Sequence, residues 1–216
     1  MKLRKTVWIF VIVLCAAALV GAVSFGASRG SLGFLSGQFR EKAQNSDLTQ
    51  VAATYKDQEI LLSVVRYQQE MNILRTEEDA KDWDTDREAI DRIIENIILL
   101  EEAERRGLTA TEEEIESMVE TARKSYEIPA GKEFLEEYCA GAGITIEEYY
   151  ELLREEAPSV IARQKLRDDV GRAYCEEHGL QFTKVNPPAE MLDAVDAYIR
   201  DLFSSQKEHI IYHIEG

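Results

Sequence analysis

The chain has 216 residues, 45% of them hydrophobic, with 25 basic against 41 acidic side chains and a formal net charge of −16. That length holds one domain plus an appendage and can bury a good core. Four of the basic residues, Lys2, Arg4, Lys5 and Arg29, fall in the first thirty, which leaves 21 basic against 41 acidic side chains beyond them and argues against a nucleic-acid binder.

No charged residue lies between Thr6 and Ser28, and Val7 to Val23 is almost wholly apolar behind the Lys2, Arg4, Lys5 cluster. Basic residues stay on the cytoplasmic side, so the remainder of the chain is expected to be translocated. The segment reaches the roughly 17 to 25 residues that a membrane span needs. Ala22-Val23-Ser24 is a passable signal-peptide cleavage site, yet the length favours a retained anchor. Cys15 follows Leu14, where a lipid-modification signal wants a small residue. The expected organisation is a cytoplasmic stub and transmembrane helix over residues 1–29, a linker over 30–50 and a helical domain over 51–216.

Residues 30–50 carry Gly, Ser, Gln and Asn with scattered Leu32, Phe34, Leu35 and Phe39, suited to a spacer or a weak juxtamembrane helix. Val51 to Ile60 then reads as a strand or hairpin with its turn at Lys56-Asp57-Gln58. A helix follows from near Ser63 and carries Val64, Val65, Tyr67, Gln68, Met71 and Leu74. Thr76 to Asp84 is a charged stretch in which Trp83 is the one large apolar group, and reads as a loop.

The strongest local signals run from Thr85 to Ala122. Thr85 with Glu88 makes a capping box. Ile90, Ile93, Ile94, Ile97 and Ile98 recur at helical steps and leave Asp91, Arg92, Glu95 and Glu102 to water. Gly107-Leu108 ends that helix, with Leu108 folding back as the apolar contact of a Schellman-type cap. Thr111 with Glu114 restarts the chain, and Ile115, Met118, Val119 and Ala122 line one face. After Tyr126, Ile128-Pro129 breaks the pattern, and a short helix holds Phe134, Leu135 and Tyr138. Gly143-Ile144-Thr145 followed by Glu148 repeats the junction.

A long helical pattern from Thr145 to His178 contains Pro158, where a kink or break is expected. Gly179-Leu180 closes it, Asn186-Pro187-Pro188 marks a boundary, and Met191, Leu192, Val195, Tyr198, Ile199, Leu202 and Phe203 form a last amphipathic helix. The final residues alternate as a β-rich run, Ile210, Tyr212 and Ile214. A lone strand leaves its ladder unpaired, so this one should pair with Val51–Tyr55 and tie the ends of the body together.

The chain carries no Gly-rich phosphate loop, nucleophile elbow, Cys-x-x-Cys or His-Glu-x-x-His, and it is not read as an enzyme. His209 and His213 stand about 13 Å apart along a strand, too far to share one ion, so no metal or other cofactor is expected. Glu101-Glu102, Glu113-Glu114 and Glu147-Glu148 sit at helix starts and on polar faces, where a solvated or capping role outweighs acid-base chemistry. Cys139 and Cys175 read as free thiols, with a disulfide as the alternative. The aromatic residues are the better candidates for function. Phe134, Tyr138, Tyr149 and Tyr150 cluster around one helical arm, and Trp83 stands in its charged loop. Apolar surface of this kind, rimmed by charge, can accept many extended sequences.

The order of these elements resembles the SurA-like N-terminal chaperone domain, shared by the secreted peptidyl-prolyl isomerases of the SurA and PrsA type, with similar helical arms in trigger factor. The residues that carry the likeness are the strand and helix after Val51, Glu-Arg-Arg-Gly-Leu-Thr after the Ile90 to Ala103 helix, the Thr-x-Glu-Glu-Glu-Ile and Gly-Ile-Thr-x-Glu-Glu-Tyr restarts, and the closing helix and strand. The likeness spans roughly Val51 to Ile214, most strongly Asp91 to Val119. Members with isomerase activity carry a parvulin domain of roughly 90 residues before the closing helix, where this chain has only Gly179 to Pro188. The resemblance therefore implies a mainly α chaperone module without an isomerase, with unfolded or newly translocated polypeptides as clients. A structural or assembly protein for one dedicated envelope partner is the alternative.

Overall fold

The computed structural model describes residues 37, 38, 40–42, 49–73 and 85–214. The anchor expected over residues 1–29 and the loop with Trp83 lie outside them. Strand β1 (Val51–Tyr55) turns at Lys56-Asp57 into β2 (Gln58–Leu61), and helix α1 (Leu62–Ile73) follows directly. Four helices come next: α2 (Asp86–Arg105), α3 (Glu112–Tyr126), α4 (Pro129–Ala142) and α5 (Ile146–His178). Helix α6 (Ala189–Ser205) and a 3-10 turn lead to β3 (Ile210–Tyr212). Among the described residues no helix is long and apolar enough to cross a membrane.

Helix starts and stops obey the local chemistry. Thr85, Thr111 and Thr145 each accept a hydrogen bond from the backbone three residues on, while Glu88, Glu114 and Glu148 reach back to the cap N–H. Pro129 opens α4, where its missing N–H has no helical partner to lose. Gly143 takes φ +66° beyond α4, and the Ile144 N–H then bonds the Cys139 carbonyl at 3.0 Å. Ile144 folds onto the core as the apolar half of that cap.

The sheet order is β2-β1-β3, antiparallel throughout. Ala53 faces Tyr212, Thr54 faces Ile211 and Tyr55 faces Ile210, so the expected closure between the two ends of the body is present. Two further bonds extend it, Lys56 N–H to the His209 carbonyl at 3.0 Å and His213 N–H to the Ala52 carbonyl at 2.8 Å. His209 and His213 are both exposed, and the His213 ring shares a hydrogen bond with Thr54 Oγ1 at 2.8 Å. No group of three or more potential ligands that could hold a metal occurs among the described residues.

Two apolar clusters run along the body. The larger joins the sheet, α1, the isoleucines of α2, Val119 of α3, Leu135 and Tyr138 of α4 and the first turns of α5. The smaller gathers Leu99 and Ala103 of α2, Ala162 and Leu166 of α5, and Val195 and Ile199 of α6. Helix α5, 33 residues and so about 50 Å long, belongs to both.

Pro158 does not divide α5, contrary to the expectation of a break. The residue is exposed, while Ala157, Ser159, Ile161 and Ala162 beside it are buried. The ring therefore sits on the solvent side, and packing on the other side keeps the helix continuous.

Glu102 is a second departure, because it is buried and not left to water. It accepts from Arg105 at 2.6 and 2.7 Å, Arg106 at 2.8 Å and the Tyr198 hydroxyl at 2.9 Å. Arg106 also reaches Asp169 at 2.8 Å, so one carboxylate joins the end of α2 to α5 and α6. Its neighbour Glu101 accepts from Lys56 at 2.6 Å and Tyr55 at 3.0 Å, and so braces the β1 turn.

Two consequences are measurable. Gly143→Ala meets no atom within 4 Å, so it should lower stability only through backbone strain, by about 1 kcal/mol, with the urea midpoint falling and the slope unchanged. The hydrogen bonds from Arg105 hold the Glu102 carboxyl down at about 2, with Arg106 and Tyr198 adding to them. The unfolded chain binds more protons between the ordinary carboxylate value and about 2, so this stabilisation is present above that window and is lost as pH falls through it. Glu102→Gln should therefore cost about 2 kcal/mol at pH 7 and nothing near pH 2, read by chemical denaturation across that range.

Candidate functional site

Three of the proposed client-binding residues come together where α4 meets the start of α5. Their spacing follows from the Gly143 cap, which turns the chain so that Tyr138 faces Tyr149. The two rings meet edge to face at 5.6 Å between centroids, and Tyr149 meets Tyr150 likewise at 5.8 Å. Arg123 of α3 lies over the Tyr150 ring at 5.0 Å, a cation–π contact from the neighbouring arm. Phe134 packs, partly buried, against the same cluster. Trp83 is outside the described residues.

These tyrosines offer little open surface. Tyr138, Tyr149 and Tyr150 are 1%, 4% and 8% exposed. Part of the reason lies a hundred residues away, in a segment read as linker. Gly37, Gln38, Arg40, Glu41 and Lys42 are helical, and Gly37 rests against the last turn of α4. A Cβ at Gly37 would stand 2.1 Å from the Tyr138 carbonyl oxygen, 2.6 Å from the Ala142 nitrogen and 2.9 Å from the Gly141 carbonyl carbon. Only glycine permits that approach, and the small residues Gly141 and Ala142 form the seat.

Arg40 enters the body beside this seat. It is 2% exposed, and its Nη1 donates to the Tyr138 hydroxyl at 3.5 Å. Glu156 of α5 is also 2% exposed. Among the described residues, Arg40 Nε and Glu156 Oε1 have no hydrogen-bond partner. Burial pushes the Glu156 carboxyl up to about 9; the Arg40 guanidinium works against this, Glu155 adds to it and Arg163 opposes it. Cys139, next along α4, donates its thiol to the Thr145 carbonyl at 3.7 Å, and burial pushes that thiol up to about 11. An unreactive thiol of this sort is an apolar filler. Cys139 and Cys175 are both buried free thiols.

Sequence reasoning missed Arg40 and Glu156. Nothing in the polar, glycine-containing composition of residues 30–50 marks a docked arginine. The run Cys139-Ala140-Gly141-Ala142-Gly143 was the available signal, since so many small residues in one helix end allow close approach of another backbone.

The chemistry of the site is that of a dry seat with polar atoms to spare. It offers no nucleophile with an adjacent base and no donor set for an ion. It can hold a helical turn, pack aromatic surface and take one cation.

Glu156 supplies a pH test. The native protein keeps its carboxyl protonated up to about 9 while the unfolded chain releases that proton near the ordinary carboxylate value, so stability from this group is full at low pH and declines between the two. Glu156→Gln, which removes the titration, should gain on the wild type as pH rises, by at most about 1.4 kcal/mol per unit. Equal differences at pH 5 and pH 8 would contradict it.

Comparison with curated proteins and with solved structures returned no match. The family model of the SurA-like N-terminal domain matches residues 1–167, most of the chain, from the amino terminus through the Glu156 region of α5. Helix α6 and strand β3 lie beyond the matched span. The chain belongs to the SurA-like N-terminal domain family.

Proposed function

We propose that this protein is a membrane-anchored, extracytoplasmic chaperone that binds unfolded or newly translocated polypeptides and catalyses no isomerisation. The observation that carries this reading is the seat between α4 and α5, which already holds a helical turn of polypeptide from outside the helical body. Family membership supports the same class of activity.

Clients would meet Tyr138, Tyr149, Tyr150 and Phe134 once that turn has left. Helix α3 is suited to act as the moving arm. Val119 is its only buried residue, with Met118, Ala122 and Tyr126 partly buried. It is otherwise held to α5 by Arg154–Glu116 at 2.9 Å, Lys165–Glu114 at 2.6 Å and the Arg123–Tyr150 cation–π contact. Such partly exposed ion pairs contribute little and are screened by salt, so the arm can pivot at small cost. The apolar segment behind Lys2, Arg4 and Lys5 would anchor the chain by a single pass and present the body to emerging polypeptides. Burial is the whole of the binding chemistry in this reading, with no nucleotide or metal.

An aggregation assay tests it. The purified full chain should slow aggregation of several unrelated unfolded proteins at ratios near one to one. Protection of none, with capture of a single envelope partner, would favour a dedicated assembly role. Turnover of a proline peptide would overturn the non-catalytic reading.

A further inference from the structure

Resting on the chaperone reading, we infer that the α4–α5 seat selects a helical turn with a glycine and, three residues on, an arginine. The chain's own turn carrying Gly37 and Arg40 is its resident occupant, which clients of that chemistry must displace.

Gly37 and Arg40 are three apart and so lie on one face of a helical turn. The first meets the α4 backbone where no side chain fits. The second carries its charge to the Tyr138 hydroxyl and to the neighbourhood of Glu156. These two contacts define a code. A larger residue in the first position collides with the Tyr138 carbonyl, and a residue without a guanidinium in the second removes the donor to the Tyr138 hydroxyl and one of the two cations, with Arg163, that act on Glu156.

Glu156 is the independent sign that the seat is built for a ligand. A carboxyl this deeply buried, with an unsatisfied oxygen, is a poor core residue. Its free oxygen can accept a hydrogen bond from a donor delivered to the seat. The acidic body, moreover, attracts basic client segments from a distance.

Occupation in cis lowers apparent affinity in trans. A tethered segment has an effective concentration in the millimolar range, so a free peptide competes against it and its affinity falls by the fraction of empty seats. The resident turn would keep the tyrosine face covered until a better segment arrives.

The test uses the full chain in mild detergent and a fluorescent peptide of residues 31–45, read by anisotropy. Two variants expel the resident turn by different means, Gly37→Leu by collision and Arg40→Gln by loss of charge. Each should bind the native peptide at least about tenfold tighter than the wild type. A peptide with the Arg40→Gln change should bind the Gly37→Leu protein about tenfold more weakly than the native peptide, and one with Gly37→Leu should not bind. No gain in either variant, or equal binding of the native and Arg40→Gln peptides, would overturn the inference and make the turn a fixed part of the core. Should Gly37→Leu fail to fold, as seen by circular dichroism, the Arg40→Gln protein decides alone.

The aggregation assay separates this from the broader reading. Variants that bind the peptide but protect no client keep the seat and lose the chaperone. Variants that protect clients but ignore the peptide do the reverse.

Discussion

The pairing of β1 with β3 is the contact on which the rest of the body depends. It is short, three residue pairs and two flanking bonds, and yet it joins segments at opposite ends of the domain. Without it α6 would be held by its apolar packing and by the Tyr198 bonds to Glu102 and Arg106, and the edge of β1 would be open. Side chains reinforce the strand. The Tyr212 hydroxyl donates to Asp91 of α2 while Arg87 lies 3.9 Å over the same ring, and the Tyr55 hydroxyl reaches both Glu101 and Gln206. Strand, helix and closing turn are thus one polar and apolar unit. The loop-closure entropy of so distant a contact is large, and its reward comes only when the helices between are formed.

Given that closure, α2 and α5 act as rails. Each contributes to both apolar clusters, so the sheet end and the α6 end are parts of one scaffold. The arms α3 and α4 are attached to one side of these rails, α4 by a buried aromatic face and α3 by much less. This asymmetry separates a rigid frame from a movable wall, and it follows from how many apolar groups each helix brings: Leu135, Tyr138 and Cys139 in α4, Val119 in α3.

What could be read in advance was whatever is local. Thr85, Thr111 and Thr145 announce their helices because a capping box needs only four residues. The Val51 and Ile210 runs announce their pairing because the Ile210 run lacks any other partner. Readings failed where distant atoms decide. Glu102 sits at the edge of its helical face, and the hydroxyl of Tyr198, far along the chain, turns that edge inward. Pro158 would break a helix exposed on all sides, but its side faces water and its neighbours face the core. The tyrosine cluster was legible as a cluster and illegible as a buried one, since its cover comes from a polar stretch before β1. No periodicity in residues 30–50 tells that Arg40 will be desolvated.

That cover is energetically unlike the rest of the core. The isoleucines of α2 are enclosed by apolar groups and lose nothing by burial. Arg40 and Glu156 are enclosed with donor and acceptor atoms unmet, each of which costs about 1–3 kcal/mol relative to water. The gain from Gly37 against the α4 backbone must offset this, and a glycine contributes no apolar side chain of its own. Those unmet groups favour local opening of the turn over unfolding of what lies beneath it. A contact optimised for permanence would have satisfied the Glu156 oxygen or replaced it.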